Sequence, residues 1–277
     1  MKLKKCSVII DEKPFIFEVE GSFFWGEPTV LYQKENSVLD KVPWEKEGYK
    51  VVKILENKIF LTLQQSIKKF VGQAIESVGI IVDNNKFTLE KYHEYIKTQE
   101  NHLKVINITR NLTIEDLDFD IENLIATFEK ELKCKLTSWI EGLQKSHIQI
   151  RISRPNSLDI NPPHRDGYLS FFENIINIWI PIAGCNAQTS LPVLPKSHLM
   201  SENKILRTQA KGAKINGNIY NVPCLLKSSE GLFEMIRPNP QEGEALIFTP
   251  YLIHGAAINQ TQNTTRVALE LRFPKIN

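Results

Sequence analysis

The hydrophobic period of this chain changes partway along. After residue 145 it is two: Ile148, Ile150 and Ile152 alternate with Gln149, Arg151 and Ser153. Ile176, Ile178 and Ile180 alternate with Asn177, Trp179 and Pro181, and Val267, Leu269, Leu271 and Phe273 alternate with Ala268, Glu270 and Arg272. Side chains on an extended chain point to opposite faces in turn, so these runs predict strands. Earlier the period is helical. Leu63, Ile67, Phe70, Val71 and Ile75 predict a helix starting at Thr62, with Gln65 completing a capping box. A short helix is expected over Leu89–Lys97. A further one carries the stripe Ile121, Leu124, Ile125, Phe128 and Leu132, with its charged side toward water. Tyr49–Leu55 reads as a strand. In the first 45 or so residues, Ser7–Ile10 and Pro14–Glu20 predict a hairpin around Asp11-Glu12-Lys13. Trp25 and Trp44 would pack this extension onto the body. The predicted organisation is an N-terminal β extension over 1–47 and a main domain over 48–277. Helices followed by short strands indicate an all-β core with bracing helices (α+β), as a sandwich or barrel.

Composition narrows the partners. A net charge of +2 gives no case for nucleic-acid binding. No apolar run approaches the roughly 18 residues that span a membrane, and the apolar stretch after the basic N-terminus is too short for a secretory signal. Cys6, Cys134, Cys185 and Cys224 are scattered without metal or disulfide spacing, which fits reduced thiols and a cytoplasmic setting. The sequence does not define an oligomeric state.

The chemistry concentrates in three residues. His164 and Asp166 follow the turn-forming Asn161-Pro162-Pro163, and two residues apart on an extended segment they project to one side. His254 lies ninety residues after His164. Two imidazoles and a carboxylate are the facial ligand set of non-haem Fe(II) oxygenases and leave coordination positions open. Arg266, on a predicted strand, adds a guanidinium that can grip a carboxylate with two parallel hydrogen bonds. His164-Arg165-Asp166 also mimics a kinase catalytic loop, but Phe171 stands where the kinase Asn belongs. His93, His102 and His147 lack ligand spacing, and His198 reads as a structural turn residue.

These segments resemble the phytanoyl-CoA dioxygenase-like branch of the Fe(II)/2-oxoglutarate oxygenases over roughly Gly48 to Phe273. Gly48–Leu55 with the following helix looks like the family's opening strand and helix. Pro163-His164-Arg165-Asp166-Gly167-Tyr168 looks like its first metal motif, and Asn177–Ile182 resembles its Trp-containing strand. Leu191-Pro-Val-Leu-Pro195-Lys-Ser197-His198 is similar to its Leu-Pro-x-x-Pro-Gly-Ser-His turn, and Gly243–Phe248 with His254-Gly255 to its distal segment. Lys196 replaces the family's Gly, Thr189-Ser190-Leu191 its commoner Asn-Gly-x-Leu, and Ala268 its frequent Ser. The resemblance implies a double-stranded β-helix of jelly-roll or cupin-like kind. It implies Fe(II) on His164, Asp166 and His254, with 2-oxoglutarate and O2 as cosubstrates. Arg266 would hold the far carboxylate of 2-oxoglutarate. Trp179 and Asn177, with Gln149 or Arg151 on the preceding strand, would contribute further cosubstrate contacts. Tyr168, Phe171 and Phe172 would line the substrate mouth. The implied reaction is hydroxylation of a small biosynthetic or metabolic molecule, with succinate and CO2 as co-products. Related halogenases lack the carboxylate ligand, so Asp166 favours hydroxylation.

The alternatives have their own discriminators. Arg266 and Arg272 fit the Arg-x5-Arg spacing of AlkB-like nucleic-acid demethylases, although the gap between the metal motifs is longer here and the composition is not strongly basic. A non-catalytic β-sandwich binding protein would show no turnover. A cupin-type metal enzyme that does not use 2-oxoglutarate would be indifferent to Arg266. Ser197–Pro240 is expected to form a lid, with Lys204, Arg207, Lys211 and Lys214 on a solvated loop.

Overall fold

The computed structural model describes residues 2–26, 46–157, 161–209, 213–215, 218–220 and 222–276. The chain opens with β1 (Lys2–Ile10), β2 (Lys13–Gly21), β3 (Phe23–Trp25) and β4 (Tyr49–Lys53). Four helices follow: α1 (Asn57–Glu76), the single turn α2 (Tyr92–Tyr95), α3 (Gln99–Thr109) and α4 (Ile121–Leu132). Then come the short β5 (Lys135–Leu136) and β6 (Trp139–Ile140), and the long β7 (Lys145–Ser153) and β8 (Ile175–Ala183). The remaining strands are β9 (Ile205–Thr208), β10 (Ala213–Ile215), β11 (Asn218–Tyr220), β12 (Leu225–Ser228), β13 (Glu234–Met235), β14 (Glu244–Phe248) and β15 (Arg266–Ile276).

The main sheet runs β4-β14-β8-β15-β7-β6, with β5 added to β15, and its pairs are antiparallel. Its two faces do different work. Ile148, Ile150 and Ile152 of β7, Ile176, Ile178 and Ile180 of β8 and Val267, Leu269, Leu271 and Phe273 of β15 join one buried cluster with the helices. Leu63, Ile67 and Val71 of α1 and Leu124 and Phe128 of α4 lie in it too. A fully buried aliphatic side chain contributes about 1.5–3 kcal/mol, so this face anchors the helices. The opposite face looks into the barrel. Trp179, Leu246, Phe248 and Ala268 pack there against Leu191, Val193, Leu252 and Ala257. The smaller sheets, β12-β9-β3 and β11-β10-β2-β1-β13, complete a double-stranded β-helix.

The predicted hairpin pairs Lys2–Ile10 with Lys13–Gly21 through a two-residue loop. Asp11 and Glu12 both take positive φ, 48° and 66°, the mirror-image turn whose twist suits a hairpin. Its β1 edge pairs with β13 in parallel, and its β2 edge pairs with β10.

Several expectations are corrected. The first helix starts five residues before Thr62, whose hydroxyl donates back to the Lys58 carbonyl instead of capping. Leu89–Lys97 is a 3-10 turn over Leu89–Lys91 followed by α2. Trp25 sits on β3 and is 44% exposed, so it does not anchor the extension; Trp44 lies outside the described residues. The Ser197–Pro240 segment is not one loop, because it supplies β9, β12 and β13 to the sheets. Arg207 there is only 13% exposed, pairs with Glu202 and lies over the Phe24 and Tyr168 rings. Lys211 is outside the described residues. Among the described residues, no helix is long and apolar enough to cross a membrane.

Candidate metal centre and cosubstrate cavity

Two chain segments meet as a short antiparallel bridge. The His164 N–H donates to the His254 carbonyl at 2.9 Å, and the His254 N–H donates to that of His164 at 3.1 Å. So close an approach requires Gly255. Its φ is +118°, and a Cβ there would lie 2.4 Å from the Pro162 carbonyl oxygen. Asp166 begins a 3-10 turn and points to the same side as His164, while Arg165 points away. The buried Arg165 pairs with Glu202 and donates to the Ser197 and Met200 carbonyls, so the alternation splits the triplet between two tasks.

The donor atoms of His164, Asp166 and His254 lie within 4.8 Å of one another, and all three residues are buried. Each imidazole is held through Nδ1, by the Pro162 carbonyl at 2.7 Å for His164 and the Leu252 carbonyl at 3.0 Å for His254. A carbonyl only accepts, so both Nδ1 atoms carry the proton and both Nε2 lone pairs face Asp166. Those Nε2 atoms lie 3.6 Å from the Asp166 oxygens. Burial and the neighbouring His164 hold His254 down to about 4, so it is neutral near pH 7 and suited to ligation. Its approach to Asp166 is therefore not an ion pair. The donor set, its tautomers and its spacing fit a divalent iron.

Asp166 has a further partner. Arg272 of β15 donates to it from Nη2 at 3.1 and 3.2 Å and from Nε at 3.3 Å. Burial would raise the Asp166 carboxyl, but Arg272, His254 and His164 outweigh it and hold it well below the usual carboxylate range. Arg272 also pairs with Glu270, which meets Arg151 Nε at 2.6 Å. Arg151 and Arg272 together bring Glu270 to about 2 against the opposing effect of burial. Arg272 donates to His147 Nδ1 at 3.0 Å and lies 5.0 Å from the Phe172 ring centre.

A cavity opens beside the histidines, lined in part by Arg266, Arg151, Trp179, Glu270 and Phe248. Arg266 is 5% exposed, and its Nη2 donates to the Ala257 carbonyl at 3.5 Å. Asn177 is fully buried, and neither amide atom has a hydrogen-bond partner among the described residues. An orphaned amide costs about 1–3 kcal/mol, and Asn177 is not among the residues lining this cavity. Gln149 is not brought to this cavity. It donates to the Arg110 carbonyl at 3.1 Å and lines a neighbouring cleft. Tyr168 turns toward Glu202, 2.8 Å away. His102 is buried against the Tyr92 hydroxyl at 3.0 Å, His93 meets Thr265 at 2.9 Å, and His198 packs under Gly48.

Sequence reasoning named Arg272 only through its Arg-x5-Arg spacing and missed that it and Glu270 gather beside Asp166. The signal was present: Arg266, Ala268, Glu270 and Arg272 share the face opposite the apolar one on β15. Lys196 explains its own oddity. It stands at the family's glycine position and takes φ +64°, a left-handed turn conformation.

No curated protein sequence matches the chain. Solved structures of similar fold include the non-heme alpha ketoglutarate dependent epimerase SnoN from nogalamycin biosynthesis, at 9% identity over 87% of this chain and 82% of that one, with TM-score 0.44. AviO1 from Streptomyces viridochromogenes Tue57 is similar at 12% identity over 87% of this chain and 94% of that one, also with TM-score 0.44. The family model described as phytanoyl-CoA dioxygenase (PhyH) matches residues 57–268, more than half of the chain and including His164, Asp166, His254 and Arg266. The chain belongs to the phytanoyl-CoA dioxygenase (PhyH) family, whose enzymes use Fe(II), 2-oxoglutarate and O2.

Proposed function

We propose that this protein is a dioxygenase that hydroxylates a small metabolic or biosynthetic molecule, with succinate and CO2 as co-products. His164, Asp166 and His254 hold Fe(II), which with 2-oxoglutarate and O2 supplies the oxidising power. Arg266 grips the far carboxylate of 2-oxoglutarate; its guanidinium is charged at any working pH and lines the cavity beside the histidines. Arg151 and Trp179 wall the same cavity, and the Asn177 amide offers a donor and an acceptor inside the barrel. Arg272 keeps Asp166 ionised and oriented as a ligand. The apolar packing of Leu191, Leu246 and Phe248 keeps bulk water from the reacting centre.

The observation that carries this reading is the pair of Nε2 lone pairs converging with one carboxylate, with Arg266 on the wall of the adjoining cavity. Anaerobic loading with Fe(II), followed by O2 and 2-oxoglutarate without any other substrate, should give Fe(II)-dependent succinate. His164→Ala and Asp166→Ala should abolish it. No succinate from wild-type protein with confirmed metal occupancy would overturn the proposal, and full 2-oxoglutarate consumption by Arg266→Ala would remove the cosubstrate anchor from it.

A further inference from the structure

Leu191 and Ala257 line the metal cavity together with Arg266, whose Nη2 donates to the Ala257 carbonyl. Both sit on loops, and one buried side chain outside the cavity grips both loops. Arg237, which follows β13 closely, donates from Nη1 to the Ser190 carbonyl at 2.5 Å and from Nη2 to the Ile258 carbonyl at 3.0 Å. The second grip falls where the backbone is strained. Ala256 takes φ +50°, and the Ile258 N–H donates to the Ala256 carbonyl at 2.7 Å, closing a three-residue turn around Ala257. A non-glycine residue in the left-handed region persists only where its surroundings hold it. Here the Asn161 carbonyl takes the Ala256 N–H, and Arg237 holds Ile258. Arg237 is itself fixed from two sides. Its neighbour Ile236 exchanges two backbone hydrogen bonds with Val193, both at 2.9 Å. Asp11, at the tip of the N-terminal hairpin, accepts from the Arg237 N–H at 3.2 Å and lies 3.4 Å from Nε. Burial lowers the Arg237 guanidinium to about 10, Asp11 opposes the shift and Arg266 adds to it, so the group stays charged near pH 7.

We infer that Arg237 is a positioning residue for the end of the cavity that receives the far carboxylate of the cosubstrate, with Asp11 as its counter-ion. It sets the Leu191 and Ala257 walls against which Arg266 presents its guanidinium. The N-terminal hairpin is thereby part of the cosubstrate site. That the occupant is 2-oxoglutarate rests on the oxygenase reading.

Calorimetric titration of the Co(II)-loaded protein with 2-oxoglutarate and with 2-oxopentanoate, in which a methyl replaces the far carboxylate, tests this. Wild-type protein should prefer 2-oxoglutarate, and Arg266→Ala should erase the preference. Arg237→Met should weaken 2-oxoglutarate binding about tenfold, the worth of one charge-assisted contact, and leave 2-oxopentanoate within about twofold. General loosening of the barrel would instead weaken both acids alike. Arg237→Lys keeps the charge but cannot fork to two carbonyls, and Asp11→Asn removes the counter-ion. Each should weaken 2-oxoglutarate alone by about threefold, and these two carry the test if Arg237→Met does not fold. Co(II) affinity should stay within about twofold in the Arg237 and Asp11 variants, because the His164–His254 bridge does not pass through either residue. Equal weakening of both acids, a larger loss of Co(II) affinity, or unchanged 2-oxoglutarate affinity in the folded variants would each overturn the inference and leave the oxygenase reading standing. A wild-type protein blind to the far carboxylate would sink the cosubstrate assignment of Arg266, and this inference with it.

Discussion

Replacing Arg272 with methionine should destabilise the metal-free protein far more than the metal-loaded one. Arg272 is 4% exposed and serves two buried carboxylates, Asp166 at 3% and Glu270 at 8% exposure. Removing one partner of a buried ion pair typically costs about 3–5 kcal/mol, because the other charge stays buried and unpaired. Arg151 still compensates Glu270, so Asp166 bears most of the loss. Stacking over Phe172 adds about 1 kcal/mol. A total near 4–6 kcal/mol is a large share of an ordinary folding free energy of about 5–15 kcal/mol. A divalent cation on the triad supplies the missing positive charge to Asp166, so the penalty should shrink when metal saturates the site. Urea unfolding with chelator and with saturating Co(II) separates the two states. Arg272→Lys, which keeps the charge but loses the fork, should fall between. A loss under about 1 kcal/mol with chelator, or an equal loss with and without Co(II), would refute this account of Asp166.

Other outcomes follow from the same geometry. Arg266→Ala should raise the 2-oxoglutarate KM by roughly 10–100-fold, the worth of about 1.5–3 kcal/mol from a charged hydrogen-bonded contact, with a smaller change in kcat; steady-state succinate formation reads it. Lys196→Gly should stabilise the fold by about 0.5–1 kcal/mol, since relief of a left-handed conformation exceeds the added unfolded-chain entropy; thermal denaturation should show a higher Tm. The metal-free protein should be acid-labile in two steps. Burial and Arg272 lower His147 from 6.5 to about 3, so the unfolded chain binds the extra proton first and stability declines as pH falls below about 6.5. Glu270, brought from 4.5 to about 2, contributes stability that is present above 4.5 and lost as pH falls toward 2. Urea midpoints measured from pH 8 to pH 3 check both signs.

The outer half of the strand alternation was legible because aliphatic residues at period two have one stable destination. The Asp11-Glu12 turn was readable for a similar reason, its polar dipeptide lying between two strand-like runs. Other features escaped because tertiary packing overrode a local signal. α3 faces inward through His102, Val105, Ile106 and Thr109, and two of these four are polar, so the apolar stripe was broken. The Thr62 hydroxyl found a carbonyl one turn back, which a capping pattern does not reveal. Within the site, the short spacing of His164 and Asp166 was legible, but the Asp166–Arg272 contact joins residues 106 apart and becomes visible only once β15 is placed in the barrel. Gln149 sits on the correct face of β7, yet the α3 C-terminus captures it, a contact no strand pattern encodes.

The two-sided main sheet separates risk along each strand. On β7, β8 and β15, neighbouring letters carry different duties: one set secures the helices, the other turns into the barrel. A library confined to cavity-lining positions such as 151 and 179 can therefore explore new catalytic repertoires while the aliphatic backing that keeps the scaffold intact is inherited unchanged.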